Sequence, residues 1–415
     1  MLRYQSKLTT LLTALLLSAA AFAQLPMASR PEDVGFSSKR LATFRQVIKG
    51  NVEGKRVPGA VLIIVRNGKM VTDDAIGYQE RAAQTPMKKD SIFRIASMSK
   101  PITTVAAMIL AEENKLDVGA PVAQYLPEFK DVKVGTEGAA PKRPMTVQDL
   151  MRHTSGLTYG LFGNTPVDQM YRKANIFGAK SLTEMVKTIA TMPLLHQPGE
   201  AWEYSVSTDV LGRVVEVASG TDLDNFVQER ITGPLKMNDT GFWVKPSAIA
   251  RLAKPDAQSN LPFADPTQRP AILSGGGGMF STAGDYARFS QMLLNGGELD
   301  GVRILSPKTV ALMTSDQLPA TTERHTSVAM LLGCFGPVPE MGTGFGLGFA
   351  VRVDPGRNPV PGSVGDFSWG GITGTFFWVD PKEKLVAVLM VQAPQAMNGV
   401  IWRQTRTMVY QAMTN

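Results

Sequence analysis

The chain has 415 residues, 44% of them hydrophobic and 19% charged, with a formal charge of +7. It is long and apolar enough for a large core and more than one subdomain, and it shows no fixed-period repeat or low-complexity tract, which excludes a solenoid or a disordered protein. The positive charge is mild and spread without a Lys/Arg block, so nucleic acid is not indicated as a partner; the one cysteine cannot form an internal disulfide, and the three histidines lack metal-ligand spacing, so neither a metal nor a cofactor is expected.

The N-terminus reads as an export signal over residues 1–23. Arg3 and Lys7 precede an apolar run from Leu8 to Ala20, and Ala21-Phe22-Ala23 is a small-x-small cleavage pattern. The run is short of the roughly 20 apolar residues a bilayer requires. The expected mature chain starts at Gln24, carries a charge of +5, lies in the periplasm or outside the cell, and has no stable membrane insertion.

Ser37 or Ser38 can cap a helix that places Leu41, Phe44, Val47 and Ile48 on one face. "VPGAVLIIV" (57–65) reads as a buried strand, Asn67-Gly68 as a hairpin turn, and "KMVTDDAIG" as the antiparallel return. Residues 98–113 predict a helix apolar nearly all round and hence central. From about 140 to 295 helical patterns dominate. One carries Leu211, Val214, Val215 and Ala218 and stops at Gly220. Another opens on a capping box at Thr282–Asp285, buries Phe289, Met292 and Leu293, and ends at Asn295-Gly296. After 343, "GFGLGFAV", "WGGITGTFFWV" (369–379) and "LVAVLMVQ" (385–392) read as strands, and a final amphipathic helix covers about 396–413. Cys334, between Gly333 and Phe335, reads as a small buried side chain. The fold class is therefore α+β: an antiparallel sheet from both chain ends, flanked by helices, with an inserted mostly helical lobe. Its expected division is an α/β lobe over 24–95 and 300–415 and a helical lobe over 96–299.

Ser97 and Lys100 stand three apart at the start of the central helix. Pro101 fits only a helix's first turn, so the helix should begin near Ser97 and set the two Cβ atoms about 5–6 Å apart on one face. A serine hydroxyl is a weak nucleophile until a base takes its proton. A helix N-terminus and a water-poor site favour a neutral lysine that can do so, and the same helix end stabilises an oxyanion. A short Ser-x-x-Lys match also arises by chance, and a serine at a helix start is commonly only a cap. Two further features bear on it. "PGEAWEYSVSTDVLG" (198–212) puts Tyr204 in a loop just before a helix, where its phenol could reach a cleft; alternatively it is a half-buried aromatic. "WGGITG" (369–374) is a glycine-rich strand whose backbone a substrate could lie along; alternatively it is a β-bulge.

With these in order, the chain resembles the serine β-lactamase and penicillin-binding-protein superfamily, above all its class C-like branch and the family VIII carboxylesterases. The similarity covers nearly all of 24–415 as one catalytic domain. It includes "FRIASMSK", "YLPEF" (125–129), "LMRHTSGL" (150–157), "PGEAWEYS", "DVLG" and "GGGGMFSTAGDYARF". The resemblance implies Ser97 as acylated nucleophile, with Lys100 and Tyr204 as the acid/base pair. It places Trp369-Gly370-Gly371 where the family has Lys-Thr-Gly, and Ile372 as an oxyanion-hole amide beside that of Ser97. It also marks His153 and the Thr154-Ser155-Gly156 turn as structural.

Two departures address the substrate. Val206 stands where the β-lactamase Tyr-x-Asn motif has Asn, and Trp369 stands where a lysine faces the substrate carboxylate. Burying a carboxylate without its cation costs about 2–5 kcal/mol. Both changes suit a small neutral ester rather than a penicillin or a D-amino-acid peptide. The expectation is an exported serine carboxylesterase. A β-lactamase or D-amino-acid peptidase of the same fold, an acyltransferase to an alcohol, and a binding protein that kept the fold are the alternatives. No Gly-x-Ser-x-Gly elbow occurs, which argues against an α/β-hydrolase.

Overall fold

The computed structural model describes residues 24–256, 265–393 and 398–415. The expected export signal at 1–23 lies outside the described residues, as do the first two positions expected for the last helix and the side chain of Cys334.

The centre is an eight-stranded antiparallel sheet drawn from both ends of the chain. Its strands are β1 (Gly59–Arg66), β2 (Lys69–Glu80), β3 (Thr85–Pro86), β4 (Thr343–Phe345), β5 (Ala350–Arg352), β6 (Phe367–Gly370), β7 (Phe376–Asp380) and β8 (Leu385–Val391), in the order β3-β2-β1-β8-β7-β6-β5-β4. β1 joins the two halves by pairing with β8, from Ala60 opposite Val391 to Arg66 opposite Leu385. Both strands are buried along their whole length. The reason is that alternate residues serve two cores. Val61, Ile63, Val388 and Met390 face the larger core, while Leu62, Ile64, Ala387 and Leu389 face a smaller one with Phe44, Ile48 and Val409. Asn67 and Gly68 both have positive φ (52° and 74°), as the two-residue turn between right-twisted strands requires.

Helix α1 (Ser38–Glu53) starts at Ser37, whose Oγ accepts the Arg40 N–H (3.3 Å), and packs with α11 (Asn398–Gln411) on the smaller-core face. On the other face lie α2 (Ser99–Glu112) and the helices α3 (Val147–Met151), α4 (Pro166–Ala174), α5 (Leu182–Ala190), α6 (Ser207–Ser219), α7 (Leu223–Val227) and α8 (Ala283–Leu294). α9 (Pro307–Met313) and α10 (Ser327–Leu332) follow before the chain returns to the sheet. α2 is buried from Ser99 through Leu110, which its all-round apolar pattern anticipates, and α6 ends at Gly220 with φ 74°.

Three expectations need correction. "GFGLGFAV" is not one strand: it folds back as β4 and β5, with the Gly346 N–H closing a turn on the Phe349 carbonyl (2.8 Å). "WGGITGTFFWV" likewise splits into β6 and β7, so Trp369 and Gly370 end a strand while Gly371 and Ile372 lie in the turn. A continuous apolar run does not show where a chain reverses. The capping box at α8 is one-sided. Thr282 Oγ1 accepts the Asp285 N–H (3.1 Å), but Asp285 Oδ2 accepts from the Asp239 N–H (2.8 Å) and Thr240 Oγ1 (2.9 Å) instead. Burial pushes the Asp285 carboxyl up to about 6 despite those bonds.

Candidate active site

A short 3₁₀ turn, Ala96–Met98, leads into α2 and carries Ser97. Ala96 takes a positive φ of 44°, a conformation costly for a residue with a Cβ and one that recurs at functional sites. It is held by Ser99 Oγ, which donates to the Ala96 carbonyl (2.7 Å) and accepts from the Met279 N–H (3.0 Å). The β6–β7 turn is stitched to the same segment. Thr375 Oγ1 donates to the Ile95 carbonyl (3.2 Å) and Thr373 Oγ1 to the Arg94 carbonyl (2.9 Å). That approach requires glycine at 371, where a Cβ would lie 2.5 Å from the Ile95 carbonyl oxygen.

Lys100 is 1% exposed, and its ammonium donates to three oxygens: Ser97 Oγ at 3.2 Å, the Tyr159 hydroxyl at 3.0 Å and the Gly276 carbonyl at 2.6 Å. It also lies 4.5 Å from the centroid of the Tyr204 ring, over its face. Tyr204 packs against His153 (4.8 Å between centroids), Trp369 (5.3 Å) and Tyr159 (5.5 Å). Its hydroxyl is buried and has no hydrogen-bond partner among the described residues, a state that calls for an incoming group or a water.

These residues open onto one cavity of about 630 Å³. Ser97, Tyr159, Tyr204, Trp369, Gly370, Gly371 and Ile372 all line it, and Lys100 sits beneath it. Six of the seven residues expected from sequence therefore share one cavity wall, and the seventh touches Ser97 from below. Val206 is buried at the start of α6 and offers the cavity no polar group.

Sequence reasoning missed the parts played by Tyr159, Asp209 and the Gly276 carbonyl. Tyr159 is in a loop with no periodic signal; burial raises its phenol well above the usual range, with Asp209 and Tyr204 adding to the effect, so it stays protonated. Asp209 on α6 is fully buried and accepts from Ser274 Oγ (2.5 Å) and the Gly276 N–H (3.1 Å). It thereby seats the "GGGG" loop whose Gly276 carbonyl receives Lys100. Burial pushes the Asp209 carboxyl up while the Lys100 charge opposes the rise. An acid beside the buried Val210 and Leu211 was the available sign. His153 is pushed well below its usual range by burial and by Lys100, so the ring under Tyr204 is neutral. Among the described residues no cluster of His, Cys, Asp or Glu could hold a metal ion, and no helix is long and apolar enough to cross a membrane.

A profile of the Beta-lactamase family matches residues 44–406. Protein Rv1367c of Mycobacterium tuberculosis is 38% identical over 371 residues, covering 85% of this chain and 88% of its own. Esterase EstB of Burkholderia gladioli is 30% identical over 414 residues, covering 93% and 98%. The solved structure of EstCE1, "a hydrolase with promiscuous acyltransferase activity", superposes with a TM-score of 0.75 at 29% identity, covering 90% of this chain and 99% of that one. The chain belongs to the Beta-lactamase family and is an enzyme of that family.

Proposed function

We propose that this enzyme is a serine hydrolase that cleaves neutral carboxylic esters through an acyl group carried on Ser97. The observation that carries the reading is the 3.2 Å contact between Ser97 Oγ and a buried Lys100 at the floor of a largely apolar cavity. Ser97 Oγ attacks the ester carbonyl carbon as its proton passes to the Lys100–Tyr204 pair, which holds it for the leaving group. The tetrahedral oxyanion is cradled by the backbone at Ser97 and Ile372. Collapse breaks the bond to the alkoxy oxygen, which leaves as the alcohol with that proton. Water then enters, gives its proton to the same pair and releases the acid, restoring Ser97. The relatives named an esterase and a hydrolase support this reading. Competition from an acceptor alcohol in place of water gives transfer instead, the promiscuous activity described for EstCE1.

The substrate claim is tested by comparing kcat/KM for p-nitrophenyl butyrate and nitrocefin. We expect the ester to be preferred by at least about thirtyfold, the lower bound of the cost of burying a carboxylate unpaired. One observation favours a second reading. Arg403 on α11 lines the cavity, is exposed, and has no ion-pair partner among the described residues. It could meet a substrate carboxylate in place of the lysine that Trp369 supplants. A preference for nitrocefin that Arg403→Ala abolishes would select the β-lactamase reading.

Tyr159 enters the proposal through its bond from Lys100. Tyr159→Phe deletes a hydrogen bond to a charged group, of order 1.5–3 kcal/mol. The expected result is a kcat lower by about 10- to 150-fold with KM changed less than about twofold. An unaltered kcat would show that Tyr159 only fills space.

A further inference from the structure

The cavity is larger and more apolar than a short ester requires. At about 630 Å³ it falls in the range that encloses a drug-sized molecule. Beyond Ser97 its inner wall continues through Phe162, Leu332 and Phe335. Its outer wall is made by Leu161, Phe177 and Leu331, which are 65%, 50% and 64% exposed. Single exposed apolar side chains are ordinary on a protein surface. Here three large ones, from the loop before α4, the turn after it and α10, converge on one mouth. Their exposure costs hydration free energy that only an apolar occupant would recover.

We propose that the site is shaped for esters with a medium-length or bulky apolar acyl group, whose distal part lies against Leu161, Phe177 and Leu331. This rests on the esterase reading above and adds the substrate class. The acyl part is chosen over the alcohol because it alone is retained after the alcohol has gone. The apolar wall beside a Ser97 acyl group holds it in place while the acceptor, water or an alcohol, exchanges at the carbonyl.

The test is a series of p-nitrophenyl acetate, butyrate, hexanoate and octanoate, each below its aggregation concentration, with a constant leaving group. Burying one methylene is worth up to about a fourfold gain in kcat/KM. The expected result is a rise along the series, with octanoate at least about tenfold above butyrate. The variant Leu331→Asp places a charge on the outer wall at an exposed position where the fold tolerates it. It should lower the octanoate-to-butyrate ratio by about tenfold. A maximum at acetate or butyrate, or a ratio that Leu331→Asp leaves unchanged, overturns the inference while leaving the esterase reading intact. Turnover of no ester in the series overturns both.

Discussion

Ser97→Ala is expected to lower kcat for p-nitrophenyl butyrate by roughly 10⁴-fold or more, the scale seen when a nucleophile that works as a unit with its base is removed. Without the hydroxyl no acyl group can be carried, so only binding and oxyanion stabilisation remain. Intact-mass measurement after mixing with an ester panel should show one acyl adduct on the natural chain and none on the variant. The variant should keep its fold. Ser97 is half-buried, and Lys100 retains Tyr159 and the Gly276 carbonyl as partners. A melting temperature within a few degrees of the natural chain would confirm that turnover, not structure, was lost. An adduct that persists in Ser97→Ala would move the nucleophile elsewhere and end the proposed mechanism. A chain that only binds its ligand would show no adduct in either form.

The second large effect is on stability and reaches the site indirectly. Asp149 is fully buried at the start of α3 and gathers Arg143 (2.6 and 2.9 Å), Arg152 (3.0 Å), Thr154 Oγ1 (2.8 Å) and the cap residue Thr146 (3.0 Å to its N–H). Burial pushes its carboxyl up, but Arg143, Thr146 and Thr154 more than reverse this and hold it at about 2. Asp149→Ala takes the carboxylate away from the part-buried Arg152, which keeps Thr154 Oγ1 and the Gln317 carbonyl, and removes the carboxylate half of the Thr146–Asp149 capping box, so we expect a loss of about 3 kcal/mol. Arg143 is more exposed and softens the loss by regaining water. The effect has a defined pH dependence. The folded value lies below the unfolded one of about 3.9, so the contribution is complete above about pH 4 and disappears as pH falls through about 2. It amounts to about 2–3 kcal/mol. Denaturation of both forms between pH 6 and 2 should show the gap narrowing toward the acid end; a constant gap would assign the loss to packing alone. Activity should fall too. The network sets the turn from His153, whose carbonyl accepts the Glu203 N–H (2.8 Å), and Glu203 precedes Tyr204.

The antiparallel hairpin at Asn67-Gly68, the buried central helix and the approach of Ser97 to Lys100 were legible in the sequence because each depends on neighbours a few residues apart. Turn residues, apolar period and helical spacing act within a single element. The cavity wall was legible only through likeness to a family, since Tyr204 and Trp369 lie more than a hundred residues from Ser97 and no local rule brings them together. Tyr159 was not legible at all, and Asp209 and Gly276 stood out only as members of segments the family shares, with no role assigned. Their roles come from distances to Lys100 that exist only after α2, α6 and the glycine loop have packed. The reversal between β6 and β7 was missed for the same reason: bonds from Thr373 and Thr375 to the segment before Ser97 decide it. Sequence by itself thus determined the fold class and the Ser97–Lys100 pair, which local backbone geometry enforces. Tertiary structure alone decided what surrounds the lysine and how large the cavity is, because burial and long-range contact set both.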